Sequence, residues 1–147
     1  MIFSIKIPDR TETSLTTLNN SEIERVELYK YLGIWLEWDL SYRYHVTNLI
    51  DKIKPKIAFL FRSKSCFSRE NRQKIVQATL LPILDYGDIL YMNAPATILN
   101  SINTIYHSVL RFITGAGFRT HHCLLYQALD WPSLELRRKQ HGAMFIY

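Results

Sequence analysis

The sequence predicts a mainly α (α+β) fold, a small N-terminal β element followed by a bundle of about five helices. Three observations carry this. Residues 23–38 are dense in aromatic and β-branched side chains, which suit a pleated, half-buried surface. From Val46 onward, apolar residues recur at i, i+3, i+4 and i+7, the pattern of helices with one buried face. Serine, proline and glycine punctuate that second region where helices would start and stop.

The elements follow in chain order. Phe3, Ile5 and Ile7 alternate with polar residues, as in a half-buried strand, and Pro8-Asp9 ends it. Residues 11–21 are rich in Thr, Asn and Ser and read as a turn or loop. Residues 23–38 read as two short strands, with Gly33 marking a bulge or a close backbone approach. Val46, Leu49, Ile50, Ile53, Ile57, Leu60 and Phe61 form one helical stripe, and Pro55 within it predicts a kink or short break. Ser68 is placed to cap a helix running towards Leu81, which Pro82 kinks or ends. Residues 85–93 fit either a continued helix or a turn. Pro95 and Thr97 open a third helix and Gly115 with Gly117 closes it. Its apolar residues fall on two faces, as in a central helix. Thr120 is read as the cap of a fourth helix ending at Leu129, and Pro132 with Ser133 as the start of a fifth. This divides the chain into a β element, residues 1–40, and a helical region, residues 41–147.

With 147 residues, the chain is too short for a complete polymerase or a TIM barrel. At 48% apolar and 13% aromatic it can bury a core, which excludes global disorder. Cys66 and Cys123 form no disulfide framework, so a reducing, intracellular setting (nucleus or cytoplasm) is expected. No apolar run approaches the ~20 residues of a membrane helix, and the N-terminus does not read as a signal peptide. The chain begins inside a strand pattern and ends on Phe145-Ile146-Tyr147, which leads us to expect a piece of a longer polypeptide.

The net charge of +5 is unevenly placed. Residues 1–51 carry −3, residues 52–79 carry +7, and residues 80–147 carry +1. Lys52, Lys54, Lys56, Arg62, Lys64, Arg69, Arg72 and Lys74 supply the central block, against Glu70 alone. Such a block suits contact with phosphates, although a solvated helix face has the same composition.

Other constellations are weaker. His121, His122 and Cys123 are potential metal ligands, but neighbours on a helix point about 100° apart and should not reach one ion, so no metal is expected. Asp85 and Asp88 flank Tyr86-Gly87 and partly imitate a Tyr-X-Asp-Asp polymerase turn, except that Ile89 stands where the final aspartate would be. Two carboxylates without a third ligand make a poor two-metal site, and a capping or turn role is the simpler reading.

Tyr31-Leu32-Gly33-Ile34-Trp35-Leu36, followed by Asp39-Leu40-Ser41 and His45-Val46, resembles the stretch after the catalytic palm strands in non-LTR (LINE-type) retrotransposon reverse transcriptases. Further segments match that family in order: Phe59-Leu60-Phe61-Arg62 with Cys66-Phe67-Ser68; Val76-Gln77-Ala78-Thr79 with Leu84-Asp85-Tyr86-Gly87-Asp88-Ile89-Leu90-Tyr91; Tyr106-His107-Ser108-Val109-Leu110-Arg111-Phe112-Ile113-Thr114; Thr120-His121-His122-Cys123; and Leu136-Arg137-Arg138. The resemblance implies the primer-grip and thumb region of an RNA-directed DNA polymerase. Tyr31, Leu32 and Gly33 would form the primer grip, and the basic residues from Lys52 to Lys74 would line thumb-like helices against the template–primer backbone. The family's catalytic aspartates lie upstream on palm strands and have no counterpart here. The chain is therefore expected to be inactive alone and to bind no cofactor, the parent polymerase using Mg²⁺ elsewhere. Expected partners are an RNA/DNA template–primer duplex and the remainder of the polymerase (the palm), with no membrane. Two other readings remain open: a helical protein-interaction or structural domain, including an inert relic of a decayed element, and a metal-dependent nuclease using Asp85 and Asp88.

Overall fold

The computed structural model of the chain describes residues 18–20 and 26–146. The expected strand at Phe3, Ile5 and Ile7 and most of the loop after it lie outside the described residues. The fold is mainly α with a small β element, as the patterning predicts: two strands precede a series of helices. The chain forms two compact units, Met1–His45 and Val46–Tyr147.

In the first unit, β1 (Leu28–Tyr31) and β2 (Ile34–Glu37) pair antiparallel, in register from Leu28↔Glu37 to Tyr31↔Ile34. The ladder is unbroken, so Gly33 is not a bulge. It is the second central residue of a two-residue turn, with φ of 46° at Leu32 and 85° at Gly33. Two successive positive φ values match the right-handed twist of a hairpin. Glycine adopts them freely, whereas leucine does so at a cost of about 1–2 kcal/mol. Past β2, Asp39 Oδ1 accepts the Ser41 N–H at 3.0 Å. Glu37 then accepts the Ser41 hydroxyl at 3.0 Å and the Tyr44 N–H at 3.2 Å. The second of these satisfies an otherwise orphaned donor in the first turn of helix α1 (Arg43–Arg62). The Tyr44 ring meets Trp35 edge-on, centroids 5.0 Å apart.

The second unit takes up the rest of α1 and all later helices. Val46, Leu49, Ile53, Ile57 and Leu60 are its buried stripe. The helix runs through Pro55 without a break. Pro55 is exposed, so water can reach the Asp51 carbonyl that its missing N–H leaves open. A 3-10 turn (Lys64–Cys66) leads to α2 (Arg69–Thr79), where the Ser68 hydroxyl accepts the Asn71 N–H at 3.3 Å. The expected run to Leu81 stops at Thr79. Leu80 joins α2 to the one-turn α3 (Leu81–Asp85), whose first turn holds Pro82, where its missing N–H costs nothing. Residues 86–93 are turns rather than a continued helix.

Helix α4 (Ala96–Thr114) is the central one. Ile102, Tyr106, Val109, Leu110, Phe112 and Ile113 are buried, and Gly115 ends it at φ 77°. It packs against α2 and against α5 (His122–Leu129). The cap of α5 is His121, not Thr120: its Nδ1 accepts the Cys123 N–H at 3.4 Å. Ser133 caps α6 (Leu134–Ile146) through the Leu136 N–H at 3.2 Å. The Tyr106 hydroxyl donates to the Pro132 carbonyl at 3.0 Å, linking α4 to the start of α6.

Candidate nucleic-acid interface

The basic block spans α1, the 3-10 turn and α2. On α1, Ile53 and Ile57 are buried, so Lys52, Lys54 and Lys56 beside them are turned to solvent. Lys54 pairs with Asp51 at 3.5 Å, an exposed contact of little energetic weight. Arg62 in the last turn of α1 and Lys74 on α2 are exposed as well.

Arg62, Lys64 and Arg72 line one open depression together with Phe61, Ser65, Phe67 and Gly115. A β-carbon added at Gly115 would stand 3.6 Å from Arg72 Nη1 and 3.9 Å from Lys64 Nζ. Two cationic heads therefore gather over this glycine. Lys64 also lies over the Phe61 ring, 5.9 Å from its centroid, and Phe61 meets Phe112 edge-on at 5.6 Å. The sequence reading missed Phe61, Ser65, Phe67 and Gly115 as members of this basic hollow. The signal available was Gly115 itself, a C-terminal glycine whose absent side chain leaves room for neighbours.

Arg69 and Arg72 differ from the rest of the block. Arg72 Nη1 donates to the Phe112 carbonyl at 2.8 Å, and Arg69 donates to the Ala128 carbonyl. Both acceptors lie in the last turn of a helix, α4 and α5 respectively, where carbonyls lack intrahelical partners and the dipole favours cations. These two guanidinium groups tie helices together, whatever else they touch.

Tyr31, Leu32 and Gly33, expected at a primer grip, occupy the end and turn of the hairpin. Leu32 is 73% exposed and Tyr31 58%. Lys30 Nζ lies 5.4 Å from the Trp35 ring centroid. The hairpin falls in the first unit and the basic block in the second.

Asp85 and Asp88 are held by α6. Arg137 makes a bidentate pair with Asp85, both contacts 2.6 Å, and His141 Nδ1 lies 2.7 Å from Asp88. The hydrogen bond to Asp85 raises the Arg137 pKa further. The pair bounds a turn, the Asp85 carbonyl accepting the Asp88 N–H at 3.3 Å, while its carboxylates anchor α6. A metal ion there would have to displace a guanidinium, which disfavours a nuclease centre. Next to it, Tyr91 is buried and donates to the Leu84 carbonyl at 3.0 Å. Burial first, then Asp88, pushes its hydroxyl pKa up.

The second polar cluster joins α4 to α5. His107 Nε2 lies 2.8 Å from the Tyr126 hydroxyl, and its ring stacks on His122 at 5.0 Å. Burial lowers the His107 pKa, helped by His122, Arg111 and His121.

Against known proteins, the chain is 33% identical over 103 residues to the RNA-directed DNA polymerase from mobile element jockey of Drosophila funebris. The protein of the same description from Drosophila melanogaster matches equally, at 33% over 103 residues. Both alignments cover 68% of this chain and 11% of the relative. A probable RNA-directed DNA polymerase from transposon X-element of Drosophila melanogaster is 30% identical over 119 residues, covering 79% of this chain and 13% of that protein. The chain thus spans about a tenth of the length of the curated relatives it matches. No family model matches, and no solved structure matches significantly.

Proposed function

As a homologue of a segment of the RNA-directed DNA polymerases of LINE-type mobile elements, this chain, we propose, is a non-catalytic nucleic-acid-binding part of such a polymerase. It holds an RNA/DNA template–primer duplex by its phosphates, with the primer end gripped by the hairpin turn at Tyr31, Leu32 and Gly33. The helical region acts as a thumb, and the remainder of the polymerase, the palm, supplies the catalytic carboxylates and their Mg²⁺ in an intracellular setting.

One observation supports this most: the +7 block contains a single acid, Glu70, and most of its basic side chains are exposed. Lys52, Lys56, Arg62 and Lys74 are exposed, and Lys64 with Arg72 converges over Gly115. Phosphate contacts of this kind carry no sequence information. They suit a surface that must move along a duplex of any sequence. No helix among the described residues is long and apolar enough to cross a membrane.

The test is binding of an RNA/DNA hybrid over a range of salt. Each phosphate neutralised adds about −0.9 to the slope of log K against log[salt] on duplex DNA. A steep line, indifferent to hybrid sequence, is the expected result. A flat line, with a protein partner captured at high salt instead, would replace this reading with that of a protein-interaction domain.

A further inference from the structure

We propose that His121, His122 and Cys123 form a binding site for one zinc-type divalent transition metal at the junction of α4 and α5. Helical geometry alone argues against it, since adjacent helical residues diverge by about 100°. The structure removes that objection at His121 and brings all three side chains within reach of one another. His121 is the N-cap of α5, with extended backbone at φ −65° and ψ 141°, so its side chain does not follow the helical progression. The His121 and His122 rings lie 4.1 Å apart, and candidate ligand atoms of all three residues lie within 4.8 Å of one another.

The metrics fit a metal after a small adjustment. A tetrahedral zinc with bonds of about 2.0–2.3 Å separates its donors by about 3.4–3.6 Å. Side-chain rotation between staggered rotamers is the adjustment that would close the remaining gap. Two imidazoles and one thiolate suit a borderline-soft ion and leave a fourth position for water or another ligand. His121 Nδ1 accepts the Cys123 N–H at 3.4 Å, a long and weak bond, so ligation through Nε2 would keep it and ligation through Nδ1 would lose little.

The surroundings orient the central ligand. The His122 ring stacks on His107 at 13° between planes and meets Tyr126 edge-on at 71°. His107 is in turn fixed by the Tyr126 hydroxyl at 2.8 Å. Such outer contacts hold a metal-binding ring in place before the ion arrives. The other cluster of possible ligands, Asp85, Asp88 and His141, differs in kind, because Arg137 already occupies Asp85 through two hydrogen bonds.

The experiment titrates the reduced 147-residue chain with Co²⁺, then displaces it with Zn²⁺. The expected result is one Co²⁺ per chain, with tetrahedral visible bands and a near-ultraviolet thiolate-to-cobalt charge-transfer band. The band should persist in Cys66→Ser and vanish in Cys123→Ser. His121→Ala and His122→Gln should each weaken binding by about tenfold or more, with far-ultraviolet circular dichroism unchanged. Absence of the charge-transfer band would overturn the site. So would a band that depends on Cys66, two chains shared per ion, or undiminished affinity in both histidine variants.

Discussion

Replacing Arg72 with alanine separates the two roles that the basic block combines. Arg72 Nη1 donates to the Phe112 carbonyl at 2.8 Å, in the last turn of the central helix. Hydrogen bonds to charged groups contribute about 1.5–3 kcal/mol, and a cation at a helix C-terminus about 0.3–1 kcal/mol more. Arg72 is only half-buried, so water can partly replace it at the carbonyl, and a loss of about 2 kcal/mol is expected. For a chain of this size that corresponds to a fall in Tm of about 4–8 °C. Arg62→Ala removes an exposed arginine from the rim of the same depression and should change stability by no more than about 0.5 kcal/mol. Thermal and urea unfolding of the two variants, alongside hybrid binding, gives the comparison. Arg72→Ala should melt early, and Arg62→Ala should weaken binding without melting early. If Arg72→Ala melts with the parent, the contact to α4 does not hold the helix, and the assignment of Arg72 as a helix tie is wrong.

Other consequences can be checked in the same chain. In a double-mutant cycle, Asp85→Ala and Arg137→Ala should show a coupling of about 0.5–3 kcal/mol by urea unfolding, because they share a bidentate pair. Leu110→Ala, at a fully buried position of α4, should cost about 2–5 kcal/mol. Tyr91 and Tyr106 both have raised pKa values, chiefly through burial. The unfolded chain then releases these protons first, near pH 10, so stability is intact below that and falls as pH rises further. Tyr91→Phe with Tyr106→Phe should flatten that alkaline loss when unfolding is followed from pH 9 to 11. Leu32→Asn should leave the hairpin intact or firmer, since Asn-Gly favours the observed turn, while weakening primer extension if placed in the whole polymerase.

Much of the fold was legible because its signals are local. The α1 stripe, the Ser68 cap, the Gly115 terminus and the Ser133 start each depend on residues a few positions apart. The β element is legible from its aromatic and β-branched run, but the run leaves Gly33 open between a bulge and a close backbone approach. Its true role in a two-residue turn depends on pairing register, which composition does not encode. His121 displaced Thr120 as a cap because an imidazole nitrogen can accept the same backbone N–H. The pairings of Asp85 with Arg137 and Asp88 with His141 join residues more than 50 positions apart. Nothing local marks them. For the same reason Arg69 and Arg72 looked like the other basic residues, although their acceptors lie on α5 and α4.

The central claim is that the exposed basic residues meet nucleic-acid phosphates. It is tested most directly by comparing the salt dependence of hybrid binding in the parent chain and in a Lys52→Ala, Lys56→Ala, Arg62→Ala, Lys74→Ala variant. All four positions are exposed, so the fold should survive. If they contact phosphates, the slope of log K against log[salt] should fall by about one for each residue removed, equally for hybrids of unrelated sequence. An unchanged slope in the folded variant would contradict the claim.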